Sequence, residues 1–327
     1  MWRYREAIPI KNDENIVSLG EPVTPLLKLK LKGKSIWVKM DHLFPTGSFK
    51  DRGAAVLISK MRELGIKKAV EDSSGNAGAA IAAYCKAAGI NCDVFIPAST
   101  SASKALQIEL YGASLKKVEG SRSDTAAAAL KEAAKAYYAS HCRNPFFIHG
   151  VKTFAFEIAE QLGWNAPDTL ILPVGNGTLL LGAYIGFAEL HTAGLIKKIP
   201  KLIGVQAANC SPLYNLFSAG TASSGNELLQ STAAEGIAVA EPVRGNEILS
   251  AVRQSGGCII SVTEEKLKTA LKDMLAEGFL IEPTAAAAVA GAKDYLSSHN
   301  RDETIVTAVT GGGMKSLQKI VDLLNMD

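Results

Sequence analysis

Along this chain, short runs rich in apolar and β-branched residues alternate with longer alanine-rich stretches. The first series reads as strands at Ala69–Asp72, Cys92–Ile96 and Ser114–Val118, each followed by a helix, at Ala77–Ala88, Ser103–Tyr111 and Ser123–Ala139. A second series places strands at Thr169–Pro173, Leu202–Gln206, Cys258–Val262 and Thr304–Val309, again with helices between them. Strands that alternate with helical stretches build βαβ units, so the pattern predicts an α/β protein with two parallel, mostly buried sheets flanked by helices. Ala54–Met61 reads as a packed apolar helix, Pro283 opens a helix of small residues through Ala292, and Thr263 caps a helix start. The most apolar run, Leu179–Ala188, is about half of the ~20 residues a membrane-spanning helix requires, and reads as a buried helix.

Four places in this pattern carry chemistry. Lys50, in Pro45-Thr46-Gly47-Ser48-Phe49-Lys50-Asp51-Arg52-Gly53, follows a glycine-bearing turn just ahead of the apolar helix. An amine attacks an aldehyde only when unprotonated, which burial beside apolar or cationic neighbours permits. Ser73-Ser74-Gly75-Asn76-Ala77 joins a strand to a helix, where free N–H groups and the helix dipole favour a carboxylate. Val174-Gly175-Asn176-Gly177-Thr178 opens the apolar helix in the manner of a phosphate cradle, without the third glycine of a dinucleotide fingerprint or the lysine of a Walker loop. Thr310 ends the last strand before Gly311-Gly312-Gly313. Taken singly, each has an ordinary structural reading: a surface lysine, an N-cap, a glycine turn, a threonine closing a strand.

Together, in this order, and with Leu19-Gly20-Glu21-Pro22-Val23-Thr24-Pro25-Leu26 ahead of them, these segments resemble the fold-type II enzymes that use pyridoxal 5′-phosphate, in the threonine synthase and threonine/serine dehydratase branch. The resemblance implies a two-domain, tryptophan synthase β-like fold, with residues 1–52 and 149–327 as the large domain and 53–148 as a smaller inserted one, the cofactor lying in the cleft between them. It implies that Lys50 forms the Schiff base and later moves the α-proton. It implies that Ser73, Ser74, Gly75, Asn76 and Ala77 hold the substrate carboxylate, that Asn76 bonds the cofactor's 3′-oxygen, and that Ser74 faces the opposite side of the cofactor. Val174, Gly175, Asn176, Gly177 and Thr178 then hold the phosphate, and Thr310 lies beside the pyridine nitrogen. A neutral hydroxyl there makes the ring a weaker electron sink than an aspartate would, which favours elimination or replacement over transamination. A homodimer and a small amino-acid substrate are further implications.

One departure bears on the substrate. Threonine synthases of this type carry Asn-Pro-x-Arg-x-x-Gly-x-Lys-Thr, whose arginine binds the phosphate of O-phosphohomoserine; here the segment Asn144–Thr153 has Phe147 at that position. Arg52, Lys104, Arg122, Arg143 and Lys152 are the candidate replacements. The first reading is a threonine-synthase-like enzyme of elimination or replacement on a small amino acid, O-phosphorylated or not. A serine/threonine dehydratase or related ammonia-lyase is the enzymatic alternative, and a non-catalytic protein that binds the cofactor or amino acids is the alternative of another class. The 14 residues after Gly313 predict no carboxy-terminal regulatory domain.

Length predicts about two domains. The 35 basic and 32 acidic side chains nearly balance, giving no reason to expect a nucleic-acid partner. The five cysteines are scattered and never form Cys-x-x-Cys, and are read as reduced thiols in a cytoplasmic protein. Met1–Glu6 lacks the apolar core of a signal peptide, so export is not expected. His42 and His149 lie near the candidate segments, whereas His141, His191 and His299 are read as lying on helices or at their ends; no metal is implied.

Overall fold

A computed structural model describes residues 1–31, 33–100, 102–219, 230–299 and 302–325. In chain order the elements are β1 (Leu26–Leu31), β2 (Lys34–Lys39), α1 (Lys50–Glu63), β3 (Lys68–Glu71), α2 (Asn76–Ala88), β4 (Asn91–Pro97), α3 (Ala102–Leu110), β5 (Ser114–Val118), α4 (Arg122–Glu132), β6 (Tyr137–Tyr138), α5 (Pro145–Val151) and α6 (Thr153–Gln161). They continue with β7 (Thr169–Pro173), α7 (Thr178–Thr192), β8 (Lys201–Ala207), α8 (Pro212–Ala219), α9 (Gly245–Gln254), β9 (Cys258–Val262), α10 (Glu264–Ala276), α11 (Pro283–Ser298), β10 (Ile305–Ala308) and α12 (Leu317–Leu324). None of the described helices is long and apolar enough to cross a membrane.

The chain forms two compact units, one of Met1–Val23 with Phe44–Thr153 and the other of Thr24–Leu43 with Phe154–Asp327. The expected division, with 1–52 in the large domain and 53–148 in the small one, runs differently: segments 1–23 and 44–52 belong with the smaller sheet. Hydrogen bonds explain why. Val17 N donates to Ser59 Oγ on α1 at 2.8 Å, and Glu63 at the end of α1 accepts from the Lys11 and Asn12 amides at 2.6 and 3.1 Å. Glu21 accepts from Tyr84 Oη on α2 at 2.6 Å and from Trp2 Nε1 at 3.0 Å.

The first unit holds a four-stranded sheet in the order β5-β4-β3-β6, parallel throughout. A helix over Ser123–Ala139 was expected, but α4 stops at Glu132 and Tyr137–Tyr138 form β6 instead. Helix propensity in the alanine run is overridden where two aromatic residues pair with Ala69 and Val70 on β3. The α4 start is fixed by a capping box, with Ser121 and Asp124 each bonding the other's backbone.

The second unit holds a six-stranded sheet in the order β1-β2-β10-β7-β8-β9. β7 and β9 fall where the apolar runs predicted them. The sheet is not wholly parallel, because β1 and β2 form an antiparallel hairpin at its edge. The alternation of leucine and lysine over Leu27–Leu31 is the period-2 signal for such an edge strand, and it was not read as one. α11 packs its alanine face into the core of this unit, and at Gly291 a side chain would collide with Val205 on β8, so only glycine lets the helix lie so close to the strand. Beneath β2, Lys39 and Glu157 form an ion pair at 2.8 Å with both side chains fully buried. Lys39 Nζ also donates to Thr24 O and to Gln161 Oε1, each at 2.7 Å, so its three protons are all placed.

Candidate active site

In the first unit Lys50 is the first residue of α1 and is partly exposed. Its neighbours in the motif hold the turn in shape. Asp51 is fully buried and accepts from Thr46 N at 2.7 Å and from the Thr46 hydroxyl, closing the loop that leads into the helix. Gly47 sits at φ +81°, in the left-handed region where a side chain is strained. Arg52, also fully buried, donates from Nη1 to Thr153 Oγ1 at 3.1 Å and lays its guanidinium 4.7 Å from the Phe44 ring centroid. The Lys50 ammonium lies 4.6 Å from the Phe49 ring centroid and 5.9 Å from that of Phe147. Both rings are within cation–π reach of the amine and frame its position at the head of α1.

The Ser73–Ala77 turn leaves β3 and opens α2, which packs beside α1. No side chain caps α2, and a helix start of this kind favours an anion. Gly78 is required there, because a Cβ would run into the Ser73 carbonyl. At the end of β3, Glu71 meets the turn after β6, and Asp72 meets α4 and β6. His141 Nδ1 lies 2.6 Å from Glu71 Oε1, while Asp72 accepts from Arg122 Nη2 and Tyr138 Oη, each at 3.0 Å. His141 was expected on a helix or at its end; it lies instead in the turn between β6 and α5, and is buried. Burial raises the Glu71 carboxyl above its ordinary range, and the His141 charge works against that rise.

In the second unit β7 and β10 run parallel and adjacent, so the glycine loop after β7 and Thr310 after β10 stand at the same sheet edge. Gly177 has φ +71° and precedes α7, whose start carries no side-chain cap. A Cβ on Gly177 would collide with Ile248, and one on Gly175 would press on Ile237, Val239 and the Gly236 carbonyl at 3.0–3.1 Å. The segment 235–239 thus backs the loop and was not singled out from the sequence. Val174 and Asn176 are partly committed elsewhere: Val174 N donates to Val205 O at 2.8 Å, and Asn176 Oδ1 accepts from Val243 N at 3.4 Å. Their contribution to a ligand is therefore narrower than that of the glycines and Thr178. Thr310 Oγ1 is buried without a hydrogen-bond partner. His42 Nδ1 is likewise unpartnered, and burial lowers the His42 pKa against the opposing charge of Asp41.

In the second unit, the buried hydroxyl and the glycine loop at an uncapped helix start fit the ring and phosphate of a phosphorylated heteroaromatic group; in the first unit, a lysine between aromatic rings is the residue type that binds an aldehyde. The chain matches the family model described as "Pyridoxal-phosphate dependent enzyme" over residues 17–311. The chain belongs to that family. It is 38% identical to the threonine synthase of Methanocaldococcus jannaschii, covering 96% of this chain and 80% of that one, and 35% identical to the threonine synthase of Mycobacterium tuberculosis, covering 95% and 87%. Among solved structures it is similar to serine racemase from Dictyostelium discoideum, with a TM-score of 0.77, 25% identity, and coverage of 94% of this chain and 96% of that one. Maize serine racemase, at 21% identity and a TM-score of 0.80 over 97% and 96% of the two chains, shows the same fold. This pyridoxal-phosphate-dependent enzyme therefore has the fold-type II architecture, an α/β fold of largely parallel sheets flanked by helices.

Phe147 stands on α5 and is fully buried. Of the cations that could replace an arginine there, Arg52 is held by Thr153 and Phe44, and Arg122 is paired with Asp72. Lys152 is buried and Arg143 exposed, while the Lys104 side chain lies outside the described residues.

Proposed function

We propose that this enzyme acts on a small amino acid by elimination or replacement at its side chain, in the manner of threonine synthase. In this reading the Lys50 amine carries the cofactor covalently, the glycine loop with Thr178 holds its phosphate, Asn76 bonds its 3′-oxygen, and Thr310 meets its ring nitrogen. When bound, pyridoxal phosphate supplies the electron sink for loss of the substrate's α-proton. Lys50 Nζ takes that proton, the Ser73–Ala77 amides fix the carboxylate, and Ser74 stands on the other cofactor face. The observation that carries the reading is Thr310 Oγ1, a buried neutral hydroxyl with no protein partner; it does not fix a proton on the ring nitrogen as a carboxylate would. The protein is proposed to work as a cytoplasmic homodimer.

A serine/threonine dehydratase is the second reading, and Phe147 favours it: a phenyl ring with its centroid 5.9 Å from Lys50 Nζ offers a substrate phosphate no donor. Purified protein with added pyridoxal phosphate, given O-phosphohomoserine, O-phosphoserine, threonine, serine and diaminopropionate, separates these readings. Phosphate with threonine supports the synthase; ammonia with a 2-oxo acid and no phosphate supports the dehydratase. No spectral response to any amino acid leaves the non-catalytic binder. Borohydride reduction followed by peptide mapping tests the lysine, and an adduct elsewhere than Lys50 rejects that assignment.

A further inference from the structure

The turn between β6 and α5 carries side chains that the chemistry above does not use. Cys142 Sγ lies 3.0 Å from His141 Nε2, and His141 Nδ1 lies 2.6 Å from Glu71 Oε1. A nucleophile within hydrogen-bond reach of a base, with the base oriented by a third group, is the arrangement that activates a thiol. Glu71 is fully buried, and its second oxygen, Oε2, has no partner. Its carboxylate therefore orients His141 through Nδ1, with Nε2 turned to the sulfur. Burial opposes a charged imidazole, yet the charges of Cys142 and Glu71 outweigh it and raise His141 to about 10.

Glu71, Asp72 and His141 place donor atoms within 4.8 Å of one another, which could also suit a metal ion. Asp72 is already engaged by Arg122 and Tyr138, however, and the two His141 nitrogens by Glu71 and Cys142. The geometry favours the thiol. The other four cysteines differ. Cys85 and Cys92 lie against each other, and burial raises the thiols of Cys210 and Cys258.

We propose that Cys142 is a modification site, a thiol activated by His141 and Glu71 that hydroperoxides oxidise to the sulfenic acid. In the reacting pair the proton from sulfur already sits on His141 Nε2, and the sulfur attacks one peroxide oxygen. The S–O bond forms, the O–O bond breaks, and the proton on His141 passes to the departing oxygen, which leaves as water or an alcohol. Sulfur is oxidised by two electrons and the peroxide is reduced. Cys142 is 7% exposed and precedes the exposed Arg143 in the same turn, so a small oxidant is the class this exposure suits. The site bears on Lys50. His141 meets the Phe147 ring edge-on at 6.1 Å between centroids, and the Lys50 charge acts to lower the His141 pKa.

Exposure and activation predict opposite orders of reaction, because Cys258 is the most exposed cysteine. The full chain loaded with pyridoxal phosphate is treated at pH 7 with substoichiometric hydrogen peroxide and dimedone, and adducts are mapped by mass spectrometry. Cys142 is expected to be trapped first, with His141→Gln slowing its trapping at least about tenfold, because the sulfur loses the cation beside it and the departing oxygen its proton donor. Glu71→Gln should slow it less, and Cys142→Ser should remove the adduct. Trapping of Cys258 ahead of Cys142, or an undiminished rate at Cys142 in His141→Gln, overturns the proposal. The order among the five cysteines is read on the unsubstituted protein, so it stands even where a variant fails to fold, and it does not depend on which amino-acid reaction the enzyme performs.

Discussion

The Phe147 ring fills the space that a side chain at Gly53 would occupy, so α5 lies against α1 one turn beyond Lys50. Gly150 makes the matching approach from α5, where a Cβ would run into the Arg52 carbonyl. Gly53→Ala should therefore push the ring aside and lower stability by about 1–3 kcal/mol through overpacking. Urea denaturation measures this, and adding Phe147→Leu should recover part of the loss, since the two sites share one contact. An unchanged midpoint in Gly53→Ala would show that the ring moves freely.

The buried Lys39–Glu157 pair should respond asymmetrically. Glu157→Gln leaves the Lys39 charge without its counter-ion in the interior and should lower stability by about 3–5 kcal/mol. Replacing both residues by apolar ones of similar size should restore much of it, although Thr24 O and Gln161 Oε1 then lose their lysine donor. If the single and double variants unfold alike, the charge was not the cause.

Thr310→Val removes a buried hydroxyl that has no protein partner. Cofactor-free protein should be as stable as the parent or more so, by up to about 1–3 kcal/mol, the desolvation penalty of an unmade hydrogen bond. Affinity for pyridoxal phosphate should fall in the same variant. Thermal unfolding without cofactor and a fluorescence titration with it check the two halves. A loss of stability without cofactor would mean that the hydroxyl has a structural role.

Stability should depend on pH through His141, which is raised to about 10 in the folded chain. A histidine raised on folding stabilises fully below its unfolded value of about 6.5, and that contribution drains away as pH rises toward about 10. The stability difference between the parent and His141→Gln should therefore be largest near pH 6 and shrink by pH 10. Denaturant titrations of both proteins at the two pH values test this. A difference that grows with pH would reverse the sign and reject the ion pair.

Much of the candidate site was visible in the chain order. Lys50, the Ser73–Ala77 turn, the glycine loop and Thr310 each follow a local cue, a strand closing or a helix opening, and those cues operate over a few residues. Strands β7 and β9 could be read because a buried parallel strand is a continuous apolar run. The misreadings arose where long-range pairing overrode local preference. Tyr137 and Tyr138 left a helix-favouring stretch to join β3, and the β1–β2 hairpin was passed over although its alternation was present.

Residue order could not disclose which side chains meet. Glu71 and His141 are 70 residues apart, and they touch because β6 pairs in parallel with β3 and delivers the following turn to the end of that strand. Nor does the motif around Lys50 reveal that Asp51 closes the turn or that Arg52 lies buried against Phe44. Those contacts depend on how α1 packs, and packing is set by many weak interactions at once. Short-range periodicity follows from backbone geometry and is written in the local residue types. The partners of a buried charge, a thiol or a glycine follow from sheet order and helix approach, which emerge when the whole chain has folded.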